Sequence, residues 1–105
     1  DTILTAEENT DASAIYSDII TYVGNVADKA QMKEAAAKTA EKFGEINVCC
    51  CNAGVCCLAP FEEFTDEMRD FHIDVNIKGV WNTCQAVIPY MLQQGGGNNC
   101  LLGNR

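Results

Sequence analysis

The sequence predicts an α/β fold on a parallel sheet, and three observations carry that reading. Strand-like and helix-like segments alternate along the chain. One apolar run, residues 46–51, has no polar alternation, the pattern of a strand covered by helices on both faces. Two segments with the helical 3.6-residue period are bounded by recognisable caps. Strands alternating with helices in this way pair in parallel through right-handed crossovers and form an αβα sandwich, a doubly wound sheet in three layers.

Each element follows from its residues. Residues 1–18 are polar and weakly patterned, with a short helix start at Thr5-Ala6-Glu7-Glu8. Ile19-Ile20-Thr21-Tyr22-Val23 is β-branched and aromatic, which predicts a short strand ending at Gly24-Asn25. Asp28 then stands as an N-cap with Gln31 three positions on. Met32, Ala35, Ala36, Thr39, Ala40 and Phe43 recur at helical spacing, charged residues fill the other face, and Gly44 stands at C′. The spacing predicts a helix over 29–43. The buried strand 46–51 follows, and Asn52-Ala53-Gly54 ends it. After a loop with Pro60 and Phe61, Thr65 is an N-cap, with Asp66 and Glu67 where the helix dipole favours acids. Met68, Phe71, Val75, Gly79, Val80, Thr83, Ala86, Val87, Tyr90 and Met91 then repeat near 3.6, predicting a long helix over 66–93. Pro89 removes one backbone donor and is expected to bend or divide the last turns. Gly95-Gly96-Gly97 stops the helix, and Cys100-Leu101-Leu102 begins a last strand.

Composition narrows the class. The 105 residues make one small domain, and 48% apolar with 21% charged residues is the ordinary globular balance. No apolar run reaches the ~18 residues of a membrane span, so no membrane partner is expected. The net charge of −8, with no local basic cluster, excludes nucleic acid as a partner. The chain opens on Asp1 without a secretory signal, and the natural start is expected upstream. Of seven cysteines, five lie within nine residues. Cys49 and Cys50 are neighbours on a strand and point to opposite faces, and Cys51, Cys56 and Cys57 lack a fourth ligand. No metal site is expected; the cysteines read as small buried hydrophobes of a reduced, cytoplasmic protein. His72 reads as a half-buried helix residue. Phe71, Trp81 and Met91 read as packing or subunit-interface residues.

Ligands of parallel sheets bind beyond the carboxyl ends of strands. Those ends are Gly24-Asn25-Val26 and Asn52-Ala53-Gly54, each with an Asn and small residues, as close approach by a flat polar ligand requires. Here the chain resembles a known family. Gly24-Asn25-Val26-Ala27-Asp28, Asn52-Ala53-Gly54 and Val75-Asn76-Ile77-Lys78-Gly79 resemble the middle of a classical short-chain dehydrogenase/reductase. The resemblance covers about residues 19–100, with 27 residues from Asn25 to Asn52 and 24 from Asn52 to Asn76.

The resemblance implies the central part of a single Rossmann-type domain, here residues 1–105, missing the first two and the last strands. It implies an oxidoreductase that uses NAD or NADP to move a hydride between nicotinamide and a small alcohol or carbonyl substrate, and a homodimer or homotetramer. Asn25 would accept a hydrogen bond from the adenine amino group, and the Val26 backbone N–H would face the adenine ring. Asn52, Ala53 and Gly54 would lie under the riboses. Asn76 would be the catalytic Asn, holding a water in a proton relay.

Departures from the family pattern are equally specific. Cys51 replaces the first Asn of the family's NNAG. No glycine-rich pyrophosphate turn and no Tyr-x-x-x-Lys occur: Tyr16, Tyr22 and Tyr90 are followed four residues later by Ile20, Val26 and Gln94. The catalytic Ser position falls on Asn104. The isolated chain is therefore expected to be inactive, the alternative being a non-catalytic nucleotide-binding or oligomerisation fragment. In the family's strand order, 3-2-1-4-5-6-7, the strand near 19–24 is not a neighbour of 46–51. Without the strands between them, the chain is expected to be marginal or to re-pair into a sheet its parent lacks.

Overall fold

The computed structural model describes residues 19–95 and the backbone of 99–102. The helix start at 5–8 and the Ser-equivalent position, Asn104, lie outside the described residues. Helix α1 spans Lys29–Phe43, with Asp28 accepting from the Gln31 N–H and Gly44 at φ 83° donating to the Ala40 carbonyl. Strand β1 spans Val48–Cys51. A single 3₁₀ turn, Phe61–Glu63, precedes the long helix. That helix starts as α2, Asp66–His72, whose Thr65 cap accepts from the Met68 N–H. It passes through a π-helical segment, Ile73–Lys78, and continues as α3, Gly79–Gln93. Strand β2, Asn99–Leu102, pairs in parallel with β1, Val48 opposite Asn99 and Cys51 opposite Leu102. None of the described helices is long and apolar enough to cross a membrane.

The core lies between one face of β1 and the two long helices. Cys49 and Cys51 point into it, where they meet Ala36 of α1 and Ala86, Val87 and Met91 of α3, with Ile46 beside them. Val48 and Cys50 point the other way and are exposed. The strand is thus buried on one face, not on both as its unbroken apolar run predicts. Among the described residues, the helices that pack on it all lie on that one side. Among the described residues no side chain is sealed below 2% exposure, so the core they form is shallow.

Three further expectations change. Residues 19–23 form no strand. Their side chains favour one, but a strand exists only with a ladder partner, and a cavity of about 1160 Å³ lies between them and β1. The sheet does not re-pair either: β1 takes the C-terminal strand beside it, the neighbour that the family order gives it. The long helix is interrupted at 73–78 rather than at Pro89, which α3 accommodates at an exposed position before ending at Gln93.

Candidate functional site

The site is assembled by side-chain amides of the long helix, each reaching a different stretch of backbone. Asn76, within the π segment, accepts from the Val55 N–H at 2.8 Å and donates to the Val55 carbonyl at 2.9 Å. Gln94 treats Ile46 the same way, at 2.7 and 2.9 Å. A primary amide carries a donor and an acceptor side by side, as a peptide does, so each side chain stands in for a missing strand partner. Val55 follows β1 and Ile46 precedes it, so one helix grips β1 at both ends. π turns recur at functional positions in helices, and this one carries the amide that grips the exit of β1.

A third amide holds the first corner. Asn82, 6% exposed and the only buried polar residue among the described ones, donates to the Val26 carbonyl at 3.0 Å. Val26 is itself buried against Gly79, where a Cβ would sit 2.6 Å from Val26 Cγ2. Only glycine allows so close a crossing of helix and corner. Asn25 turns the chain there. Its Oδ1 accepts from the Ala27 N–H at 2.9 Å, its N–H donates to Gln31 Oε1 at 2.6 Å, and its carbonyl accepts from Asp28. The Asn25 carbonyl oxygen of the side chain has a second lone pair.

At the second corner the Asn52 N–H donates to the Cys50 carbonyl at 3.0 Å, turning the chain out of β1. Asn52 and Gly54 are exposed and Ala53 is half-buried. Val26, Asn52 and Ala53 all border the large cavity, so the two corners open on the same space. The loop beyond them is fastened by His72. Its Nδ1 lies 2.6 Å from the Met68 carbonyl and its Nε2 is 2.9 Å from the Cys57 N–H. A carbonyl can only accept and an N–H only donate, so the imidazole is the neutral Nδ1–H form. His72 is half-buried, as its sequence position suggests, and its ring packs 5.3 Å from that of Phe64.

Charge is concentrated beside the first corner. Tyr22 donates to Glu34 at 3.0 Å, and Lys38 lies 3.4 Å from the same carboxylate and over the Tyr22 ring. The bond from Tyr22, then that from Lys38, hold Glu34 below the usual carboxylate range. Desolvation, then the bond to Glu34, push the Tyr22 hydroxyl up. Among the described residues no three His, Cys, Asp or Glu side chains group as metal ligands would.

The structure therefore gathers Val26, Asn52 and Ala53 around one cavity, with Asn25 and Gly54 adjoining in sequence, and connects Asn76 to the loop behind Gly54. Sequence reasoning missed Asn82 and Gln94. The available signal was position: Asn82 breaks an otherwise apolar face, and Gln94 follows its last apolar residue.

Comparison with known proteins identifies relatives of the chain. A family model described as short chain dehydrogenase matches residues 3–99. Oxidoreductase UcpA of Escherichia coli (strain K12) is 43% identical over 82 residues, 78% of this chain and 31% of that protein. The chain thus spans about a third of the length of the curated relatives it matches. Carveol dehydrogenase from Mycobacterium avium, in complex with NAD, superposes with a TM-score of 0.84 at 28% identity, covering 93% of this chain and 37% of that one. An alcohol dehydrogenase from the archaeon Thermococcus sibiricus, complexed with 5-hydroxy-NADP, gives 0.71 at 29% identity, covering 79% and 34%.

Proposed function

Because the chain belongs to the short-chain dehydrogenase family, we propose that it forms the central part of one NAD(P)-binding oxidoreductase domain. The reaction is hydride exchange with the alcohol or carbonyl carbon of a small molecule. The observation that carries this reading is the opening of Val26, Asn52 and Ala53 onto one cavity, with both corners tied to the same helix.

The residues present fit a dinucleotide. Asn25 keeps one acceptor position for the adenine amino group after bonding Ala27. The Val26 backbone is fixed by Asn82, so an adenine ring meets a preformed edge. Asn52, Ala53 and Gly54 offer an exposed, small-residue floor for the riboses. Nicotinamide, when bound, supplies or accepts the hydride. Asn76 fastens the loop behind that floor and, on each amide atom, retains capacity for one more bond, enough to hold a water. These residues carry no Tyr-x-x-x-Lys to act as acid and base, so the isolated chain is inactive in this reading.

Two partner assignments belong to the same reading. A homo-oligomer is supported by the outer face of the long helix, where Ile73, Ile77, Trp81, Ile88 and Leu92 stay exposed at near-helical spacing. A cytoplasmic setting is supported by Cys49 and Cys51, which stand as small buried residues; Cys50 and Cys56 are exposed, which corrects the reading of the cysteines as buried hydrophobes. Titration of the chain with NADH, followed by amide NMR, tests the cofactor site. Saturable shifts at Asn25, Val26 and Asn52–Gly54 with a Kd near millimolar, about −4 kcal/mol, are expected for a site without its pyrophosphate turn. Shifts confined to other residues, or none at tenfold higher concentration, overturn it.

A further inference from the structure

We propose that Cys51 and Cys84 form a redox pair that closes into a reversible disulfide between the end of β1 and the middle of α3. Their Sγ atoms lie 3.9 Å apart. A disulfide needs about 2.05 Å, so the sulfurs must approach by roughly 1.9 Å for the bond to form. The two are 33 residues apart in sequence and meet only because β1 packs on α3. Strand geometry selects the partner. Cys50 points to the exposed face of β1, and Cys49 lies two residues back, roughly 6.6 Å along the strand.

The chemistry balances with hydrogen peroxide as oxidant. Cys84 is half-buried and Cys51 is buried, so peroxide meets Cys84 first. The Cys84 sulfur displaces one peroxide oxygen, giving a sulfenic acid and one water. The Cys51 sulfur then attacks Cys84 Sγ, expelling the hydroxyl as a second water. Two thiols are oxidised to one disulfide and one peroxide is reduced to two waters. A dithiol reverses it by exchange through a mixed disulfide. In reducing compartments the few disulfides that do form are usually transient ones of this kind.

The bond would fasten the residue just before Asn52 to the helix that carries Asn76 and Asn82. Its formation depends on the two sulfurs alone, not on the cofactor reading, so the two fail separately. The test is peroxide treatment of the folded chain, tryptic digestion without reduction, and mass spectrometry. Cleavage after Lys42, Arg69 and Lys78 puts Cys51 in peptide 43–69 and Cys84 in peptide 79–105. The expected result is these two peptides joined with loss of two hydrogens, fragmentation placing the link at Cys51 and Cys84, and dithiothreitol releasing it. Cys100→Ser must keep the link and Cys84→Ser must lose it. Oxidation of the unmodified chain in urea must lose the preference, which keeps the test valid if a variant misfolds. A link placed on Cys100, links within 43–69, or oxidation to sulfinic acid without any link overturns the proposal.

Discussion

Replacing Gly79 with alanine sets two effects of opposite sign against each other. Alanine in a helix interior gains about 1 kcal/mol over glycine. Against this, the new methyl sits 2.6 Å from Val26 Cγ2 and 3.1 Å from its Cβ. Val26 cannot swing away easily: its χ1 is stiff, the residue is buried, and its carbonyl is held by Asn82. Overpacking of this kind costs about 1–3 kcal/mol. The clash wins, and Gly79→Ala destabilises the chain by roughly 1 kcal/mol. Val26→Ala alone removes two buried methyls and costs about 1.5 kcal/mol. In that background the 2.6 Å contact is gone and only the Cβ contact at 3.1 Å remains, so the penalty for Gly79→Ala shrinks. Urea unfolding of the four proteins, followed by circular dichroism, measures the coupling. A smaller penalty for Gly79→Ala in the Val26→Ala background is expected. If Gly79→Ala stabilises the wild-type chain, or if the two effects simply add, the close crossing at Val26 does not limit this corner.

Other predictions follow from the same contacts. Asn76→Ala removes both bonds to Val55 and is expected to cost about 1–3 kcal/mol, with faster amide exchange at Val55; unchanged exchange there refutes the grip. Asn82→Leu leaves the buried Val26 carbonyl without its donor, at a cost of about 1–3 kcal/mol, and NMR shifts should concentrate at residues 25–27. Stability should also depend on pH through the Tyr22–Glu34 pair. Glu34 is held below its ordinary value of 4.5, so its contribution is present above that value and is lost as pH falls through the depressed one. Tyr22 is raised above 10.0, so its contribution is present below that value and is lost as pH rises through the raised one. Tyr22→Phe should move the acid loss to higher pH and flatten the alkaline loss in thermal melts; an unaltered profile would show that the pair is idle.

The parts of the fold set by local chemistry were legible in the sequence. Asp28 and Gly44 bracket α1 because a carboxylate cap and a left-handed glycine work the same way in any context. The apolar period from Met68 to Met91 gives the long helix its face. What was not legible depended on absent or distant partners. Residues 19–23 have strand side chains, yet among the described residues no neighbouring backbone completes a ladder. The π segment has no composition of its own, and it coincides with Asn76 reaching Val55. Asn76, Asn82 and Gln94 all bond main-chain atoms, which carry no sequence signature, so their targets were invisible even though two of the amides stood out by position. The candidate corners were legible as residue types, but their sharing of one cavity needed three dimensions.

A single rod grips Ile46, Val26 and Val55 by separate amides while its outer surface carries Ile77 and Trp81. Such a rod behaves like an axle: a turn of a few degrees imposed from outside moves all three gripped points together and in fixed proportion. The two corners of the cavity and the entry to β1 are thereby tied to one body.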